Sequence, residues 1–315
     1  MNTHLIYGFK TALNGLKINK SRSWLTILGI AIGMAAIILV VSLGDGANSL
    51  VINQVQGLGS RTIVVVPGKR PKGPLGSNLI FSDSLKDREL RALQGKMNVP
   101  YLLDITPVVL VPATVSSISG QNISSVTLGV AEAFADILAL VPQEGRFFNE
   151  DEVREKATVA VIGFQVKEDL FGDNEVLGEK IKIKGKVFKI VGIMPRKGQM
   201  LLFNIDDAIF APYTTAKQYL VNKDHYDEII LRAEKEEFVS ATVSDIQETI
   251  RGLHNIDNPD NDDFHIHTQA EITERVGAVT KVLTAFLAAL AAISLIVGGI
   301  GIMNIMLVSV TERTR

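Results

Sequence analysis

The sequence has 315 residues, of which 47% are hydrophobic and 21% charged, and its net charge is −2. It contains no cysteine, which excludes disulfides, thiolate catalysis and cysteine–zinc sites. The near-neutral average conceals a strong segregation, because long uncharged stretches near both ends flank an acidic middle. We expect no cofactor and no nucleic-acid partner.

Residues 1–23 carry four basic side chains and no acidic one. Leu5, Phe9 and Leu16 fall at helical spacing, which predicts an amphipathic helix on the cytoplasmic side over residues 4–20. A basic helix just before a hydrophobic stretch is typical of the membrane interface, and a disordered basic tail is the alternative.

Residues 24–43 are predicted to be the first transmembrane helix, because no charged residue occurs over 20 positions, about the minimum for crossing a bilayer. The following residues 44–275 carry 25 basic and 33 acidic side chains. Because basic flanks stay in the cytoplasm, we expect the N-terminus to be cytoplasmic and this acidic segment to be extracytoplasmic. A cleaved signal peptide is the alternative, although the apolar stretch exceeds its usual length.

A second uncharged run extends from Val282 to Val310, and a helix of these 29 residues would measure roughly 43 Å, more than the ~30 Å bilayer core. Residues Glu271–Lys281 are expected to be helical and to enter this run without a turn. Residues 276–310 are therefore predicted to form a stalk and second transmembrane helix that is rigidly coupled to the external domain. Residues 311–315 would begin a cytoplasmic segment.

The extracytoplasmic segment is predicted to be an α+β domain with a porter-like β-α-β unit at each end. The predicted strand, helix and strand are 61–67, 83–97 and 105–117 in the first unit, and 226–232, 236–253 and 264–268 in the second. Ser84, with Asp87 three residues later, predicts a capping box at the first helix. We expect the two units to form one subdomain.

Residues from about 120 to 222 are predicted to be a β-rich subdomain inserted between these units. Its expected elements include strands at 123–130 and 158–163 and a short helix at 131–140. Lys180–Met194 predicts a hairpin that turns at Gly185 and Lys186. Met200–Ala211 predicts a further strand pair around Asp206.

Motifs that would carry catalytic chemistry are weak or missing. Gly68–Gly73 lacks Gly-Lys-Ser/Thr and contains a proline where a phosphate loop needs N–H groups, and no Gly-x-Ser-x-Gly occurs. His265 and His267 would point to one face of a strand, but no third ligand has a fixed spacing. We expect no catalytic residue and no metal site, and the chain is not expected to be an enzyme.

Small residues recur within both uncharged runs and predict close packing of helices. The positions predicted to form this packing face are Gly29, Gly33, Gly298, Gly299 and Gly301. Asn304 places an amide within the second run, where it is predicted to cap or hinge the helix.

Short segments spread over the whole chain carry a family resemblance. They are Asn19–Gly33, Gly44–Ala47, Gly57–Ser60, Ile63–Gly68, Gly145–Phe147, Val159–Gly163, Leu170–Gly172, Val191–Gly192 and, as the most specific, Ala292–Arg315. These segments resemble the MacB-type, FtsX-like permeases of ABC transporters. The resemblance implies a bacterial inner-membrane protein with four transmembrane helices and a large periplasmic core domain between the first two.

The resemblance also implies a permease homodimer that works with cytoplasmic ATPase subunits and, in some members, a membrane-fusion or adaptor protein. ATP hydrolysis would move the external domains through the stalk helices and export antibiotics, peptides or lipoproteins. Because no ATPase is fused to this chain, a separate subunit is implied, and Glu312, Arg313 and Arg315 would begin the surface that meets it. Family members continue beyond this point, so we expect a C-terminally truncated sequence.

Two alternatives remain beside the export permease. A two-helix extracytoplasmic sensor or receptor has the same expected topology, with both termini in the cytoplasm. An FtsX-like regulator of cell-wall hydrolases is the alternative within the family.

Overall fold

The computed structural model describes residues 59–69, 83–117, 120–200 and 203–314, together with scattered positions between Trp24 and Gly46. The chain divides into two compact units. One comprises Ile52–Glu274, and the other comprises Met1–Val51 together with Arg275–Arg315.

The described part of the first unit is an α+β domain. Its strands are β1 (Thr62–Pro67), β2 (Leu102–Ser117), β3 (Asn122–Val130), β4 (Glu144–Gly145), β5 (Val159–Ile162), β6 (Lys180–Ile183), β7 (Lys186–Ile193), β8 (Gln199–Met200), β9 (Phe203–Asn204), β10 (Ala208–Pro212), β11 (Glu228–Ala233) and β12 (Phe264–Thr268). Its helices are α1 (Asp87–Gln94), α2 (Ala133–Ile137), α3 (Glu150–Arg154), α4 (Phe164–Phe171), α5 (Tyr213–Thr215, continued as a π-helix over Ala216–Val221) and α6 (Val239–His254, preceded by a 3-10 turn at Glu236–Phe238).

The two ends of this domain share one antiparallel sheet in the order β12, β1, β11, β2. This order interleaves a β-α-β unit from each end of the domain, with α1 and α6 as the connecting helices. The two units thus share one sheet, and we call the region that they form the porter-like subdomain.

Alternation along the strands explains how the porter-like subdomain packs. On β1, Ile63 and Val65 are fully buried and belong to the main hydrophobic core. Helix α6 contributes Ile246 and Ile250 to the same core, from positions four residues apart on one face. The face of α1 that packs inward carries Leu90 and Leu93.

The insert contains strands in both relative directions, whereas every pairing of the porter-like subdomain is antiparallel. Strand β10 lies parallel to β3 and antiparallel to β5, and β5 lies parallel to β7. Strand β2 joins the two regions, since its first half pairs with β11 and its second half with β3. One continuous set of buried residues extends along β2 from the porter-like subdomain into the insert.

The first predicted helix begins later than expected. It was predicted to start near residue 83 with Ser84 as its cap, but α1 begins at Asp87. Glu89 Oε2 accepts a hydrogen bond from the Lys86 backbone N–H at 2.9 Å, and this contact organises the first turn. The Ser84 hydroxyl instead donates to the Asp263 carbonyl at 3.0 Å, which ties the approach to α1 to the segment before β12.

Two turns in the insert also differ from the prediction. The hairpin turns at Lys184 and Gly185, both with positive φ (46° and 84°), because Ile183 pairs with Lys186. The strand pair expected within residues 200–211 is wrong, because β9 pairs with β8 while β10 joins β3 and β5. Asp206 accepts hydrogen bonds from the backbone N–H groups of Lys197 and Gly198, at 2.8 and 3.0 Å, and fixes the intervening turn.

The second unit is helical at every position that the structure describes within Trp24–Gly46. Helix α7 extends over Gln269–Arg313, which confirms that the segment after β12 is helical without interruption. Among the described residues, no helix combines the length and the apolarity that crossing a membrane requires. The amphipathic helix predicted at residues 4–20 lies outside the described part of the chain.

Candidate functional site at the junction of the two subdomains

A cleft of about 480 Å³ lies where α1 of the porter-like subdomain meets α5 of the insert. Helix α1 presents one face to it, because residues three and four positions apart share a side of a helix. The lining residues are Asp87, Leu90, Arg91, Gln94, Lys156, Tyr213, Thr214, Lys217, Gln218, Asn222, Lys223 and Tyr226. Polar and charged side chains therefore predominate in a concave surface between two subdomains.

Asp87 is the centre of the contacts that cross this cleft. It accepts a hydrogen bond from the Tyr226 hydroxyl and another from Lys217 Nζ at 2.7 Å. Burial favours the neutral carboxyl, but these hydrogen bonds outweigh it and hold the pKa of Asp87 below its ordinary value. Burial, and then the hydrogen bond to Asp87, raise the pKa of the Tyr226 phenol, so this hydroxyl remains a donor.

Aromatic rings fix the position of the lysine in the insert. Lys217 Nζ lies 4.4 Å from the centroid of the Tyr226 ring, within the range of a cation–π contact. The ring of Tyr213 meets that of Tyr226 edge-on, with centroids 5.9 Å apart. The Lys217 side chain is only 15% exposed, so its charge is held in place by its contacts.

Two further cations of the cleft are held less tightly. Arg91 and Lys156 are exposed, and within the described residues neither side chain has a hydrogen bond or an ion pair. Lys223, in contrast, pairs with Asp227 at 3.0 Å. The cleft thus contains two charges that are neutralised locally and two that are available to a ligand.

A second groove, of about 870 Å³, lies beside β12 and is bordered by α6. The rings of His265 and His267 face the same side of β12, with centroids 4.7 Å apart, as the alternation predicted. His265 Nδ1 lies 3.2 Å from the Gly68 carbonyl oxygen, so a backbone contact accounts for this ring. Within the described part of the chain, no three His, Asp or Glu side chains are placed to hold a metal ion.

Glu228 is an unusual buried carboxyl on the central strand β11. The residue is only 7% exposed, and it pairs in register with Val108 of β2. Burial, with a smaller contribution from the negative charge of Asp227, raises the pKa of Glu228 to about 7. This group is therefore half-protonated near neutral pH.

The site residues predicted from the sequence all lie in the second unit. Glu312, Arg313 and Asn304 are positions of α7, and Gly29 and Arg315 lie outside the described residues. Gly33, Gly298 and Gly301 are half-buried, while Gly299 is exposed with no described atom within 4 Å of an added Cβ. A Cβ added at Gly44 would lie 3.8 Å from Leu283 Cδ2, so these two helical segments approach each other. Packing and ATPase coupling at the predicted positions remain predictions.

Sequence reasoning missed the junction cleft. The spacing of Asp87, Arg91 and Gln94 is a signal that was available, since these positions share a helix face. Nothing in the local sequence pairs that face with Lys217, which lies 130 residues further along the chain than Asp87. Only the long-range docking of the insert brings the two together.

The fold is that of an α+β domain in which a four-stranded antiparallel sheet continues into an inserted region of mixed strands. The profile of the MacB-like periplasmic core domain family matches residues 23–249. The chain belongs to this family.

The relatives named as macrolide export ATP-binding/permease proteins MacB match the whole length of the chain. The protein of Bdellovibrio bacteriovorus is 35% identical over 318 residues, which cover 100% of this chain and 48% of that protein. The protein of Neisseria gonorrhoeae is 30% identical over 311 residues, which cover 98% of this chain and 46% of that protein. The chain thus spans about half the length of the curated relatives it matches.

Solved structures support the same fold. The periplasmic region of MacB from Actinobacillus actinomycetemcomitans matches with a TM-score of 0.59 at 17% identity, over 71% of this chain and 95% of that one. The extracellular domain of the noncanonic ABC-type transporter YknZ from Gram-positive bacteria gives 0.53 at 14% identity, over 66% of this chain and 100% of that one. At these identities the likeness establishes the fold.

Proposed function

We propose that this chain is the permease subunit of an ABC transporter whose ATP hydrolysis is performed by a separate cytoplasmic ATPase. The permease would act as a homodimer in the inner membrane, with residues 24–43 and 276–310 as transmembrane helices and the core domain outside. Hydrolysis would move the core domain and drive export of antibiotics, peptides or lipoproteins, with an adaptor protein as a further partner. Membership of the MacB-like family supports this proposal.

The observation that carries the proposal is the position of the two chain connections of the core domain. Strand β1 begins at Thr62 and β12 ends at Thr268, and Ile63 pairs with Thr268. Both connections therefore leave the sheet at the same end and side by side. Beyond each connection the sequence reaches an uncharged run of at least 20 residues. This arrangement suits a domain inserted between two consecutive transmembrane helices, since both of its connections would then return to the same membrane surface.

The topology can be tested with single cysteines, because these 315 residues contain none. Lys182→Cys lies on the exposed face of β6 and should react with a membrane-impermeant maleimide in intact spheroplasts. Ser21→Cys, in the basic N-terminal segment, should react only after the membrane is permeabilised. Labelling of both positions from the same side would refute the proposed orientation.

The coupling to an ATPase can be tested with the complete gene product, co-expressed with an ABC ATPase encoded beside it. We expect the two proteins to co-purify and the ATPase rate to change when the permease is present. Arg313→Glu should weaken this association, because it reverses a charge at the expected cytoplasmic end of α7.

Lys182→Glu reverses a charge on the extracytoplasmic side and serves as the matched control, with no expected effect on association. If Arg313→Glu leaves the association of the permease with the ATPase unchanged, the proposed coupling role of residues 311–315 is contradicted. Failure of the wild-type pair to associate, with no change in ATPase rate, would contradict the permease proposal and favour a sensor.

A further inference from the structure

We propose that the junction cleft between α1 and α5 is a binding site for a small molecule that carries a phosphate or carboxylate group. The proposal concerns the core domain alone and does not depend on the transport proposal. It rests on three observations. The cleft carries positive charge, its charged side chains come from both subdomains, and Arg91 and Lys156 make no ion pair with other described residues.

The charge of the cleft opposes that of its surroundings. Residues 44–275 carry more acidic than basic side chains, 33 against 25. The cleft differs, because Lys217 and Lys223 pair with Asp87 and Asp227, and the positive charges of Arg91 and Lys156 remain in its lining. A concave surface of one sign concentrates ions of the opposite sign and favours their entry.

The geometry offers an anion both charge and directed donors. Arg91 is exposed on α1, and its guanidinium group can form two parallel hydrogen bonds to a phosphate or carboxylate. Lys156 provides a second available ammonium group from the loop that follows α3. The amides of Gln94, Gln218 and Asn222 add neutral donors to the same lining.

The cleft is also more rigid than a patch of surface lysines. Lys217 is held by Asp87 at 2.7 Å and by the Tyr226 ring, so its charge is preorganised and loses little side-chain entropy on binding. It belongs to the π-helical stretch Ala216–Val221, an irregularity that is frequent at functional sites. Because Arg91 belongs to the porter-like subdomain and Lys156 to the insert, a bound anion would contact both.

The test measures binding to the full chain in non-ionic detergent by isothermal titration calorimetry at constant ionic strength. The probes are inorganic phosphate, succinate and dihexanoyl-phosphatidylglycerol, a short-chain anionic lipid. We expect at least one probe to bind with a submillimolar dissociation constant. Preference for the lipid would identify a headgroup as the natural source, and preference for phosphate or succinate would identify a soluble ligand.

Arg91→Gln and Lys156→Gln should each weaken the preferred probe about tenfold, because each removes one charge-assisted contact. Lys180→Gln and Lys182→Gln make the same change of net charge on the exposed face of β6 and should leave the affinity unchanged. A melting curve provides the folding control. Without ligand, Arg91→Gln and Lys156→Gln should have the same melting temperature as the wild type. The preferred probe should raise the melting temperature of the wild type substantially and that of the two variants much less.

Two results would overturn the proposal. One is that none of the three probes binds the wild-type chain. The other is that Lys180→Gln and Lys182→Gln weaken binding as much as Arg91→Gln and Lys156→Gln do. The affinity would then depend on the net charge of the protein and not on the side chains of the cleft.

Discussion

The porter-like subdomain and the insert are built by different rules. In the former, four strands alternate in direction, and two helices connect strands that are close in sequence order. In the latter, parallel and antiparallel pairings mix, and the subdomain shares β2 with its neighbour. Every strand pairing of the first region joins segments from opposite ends of the domain, and the second region is complete only in contact with β2 of the first. We therefore expect the two to unfold as one cooperative unit.

The strongest test of this comparison is Phe210→Ala, in the middle of the insert. Phe210 is fully buried on β10, and its ring centroid lies 5.5 Å from that of Phe134. Truncation should lower the free energy of unfolding by about 3–5 kcal/mol, because it removes apolar contacts and leaves a cavity. Urea unfolding followed by circular dichroism measures the loss, and hydrogen exchange shows where it acts.

Ile250→Ala on α6 is the matched change in the porter-like subdomain and should cost about 2–5 kcal/mol. Val141→Ala is the exposed control, since Val141 is 76% exposed, and its effect should stay within about 0.5 kcal/mol. In both core variants, hydrogen-exchange protection should fall in β1 and in β10 together. Loss confined to the subdomain that carries the substitution would show that β2 and the shared core do not couple the two regions.

The sequence could predict the elements that are specified by residues close together in the chain. Strand β12 was predicted with its observed bounds, and the helix predicted at 236–253 corresponds to α6 with its preceding 3-10 turn. The hairpin β6–β7 was predicted to within one residue of its turn. These elements are specified by local patterns whose periods are 2 and 3.6 residues.

The elements that could not be predicted depend on distant partners. The sequence of β10 does not indicate that it pairs with β3 and β5 and not with the neighbouring β9. Every residue of Ala208–Pro212 is buried, so the strand lacks the alternation of apolar and polar residues that would mark one face. Ser84 was predicted to cap α1, but its hydroxyl donates to the Asp263 carbonyl, which is 179 residues away. The junction cleft is missed for the same reason, since Asp87 and Lys217 meet only after the insert has docked.

Glu228 provides the second test, because it places a titratable group in the sheet of the porter-like subdomain. Its pKa is about 7 in the folded state, against an ordinary value of 4.5. Between these two values the unfolded chain releases a proton that the folded chain retains, so stability falls as the pH rises from about 4.5 to 7. The full loss corresponds to roughly 3 kcal/mol and persists above pH 7.

Glu228→Gln keeps the size of the side chain and removes its charge. The variant should therefore exceed the wild type in free energy of unfolding by roughly 3 kcal/mol at pH 8, and by less than about 1 kcal/mol at pH 5. Urea unfolding at the two pH values measures the difference. Glu175→Gln alters an exposed carboxyl of the insert and should change the free energy of unfolding by the same small amount at pH 5 and at pH 8. An equal gain for Glu228→Gln at pH 5 and pH 8 would show that its stability effect is not one of protonation.

Tyr226→Phe should have the smallest effect. It tests the side chain that contacts both Asp87 of α1 and Lys217 of α5. The substitution keeps the buried ring and its position over Lys217, but removes the hydroxyl that donates to Asp87. Because the Asp87 side chain is 59% exposed, water can replace the lost donor, and we expect a loss of only about 1 kcal/mol.

The location of this effect decides between two descriptions of the junction. If the hydroxyl positions Asp87 for its contact with Lys217 of α5, hydrogen exchange should quicken at Ala216–Val221 with little change in β1 or β11, because the shared strand β2 still joins the two subdomains. Tyr219→Phe removes the hydroxyl of a tyrosine that is 44% exposed and makes no described hydrogen bond through it, and should change neither stability nor exchange. Wild-type exchange at Ala216–Val221 in Tyr226→Phe would mean that this hydroxyl does not contribute to holding α5 against α1.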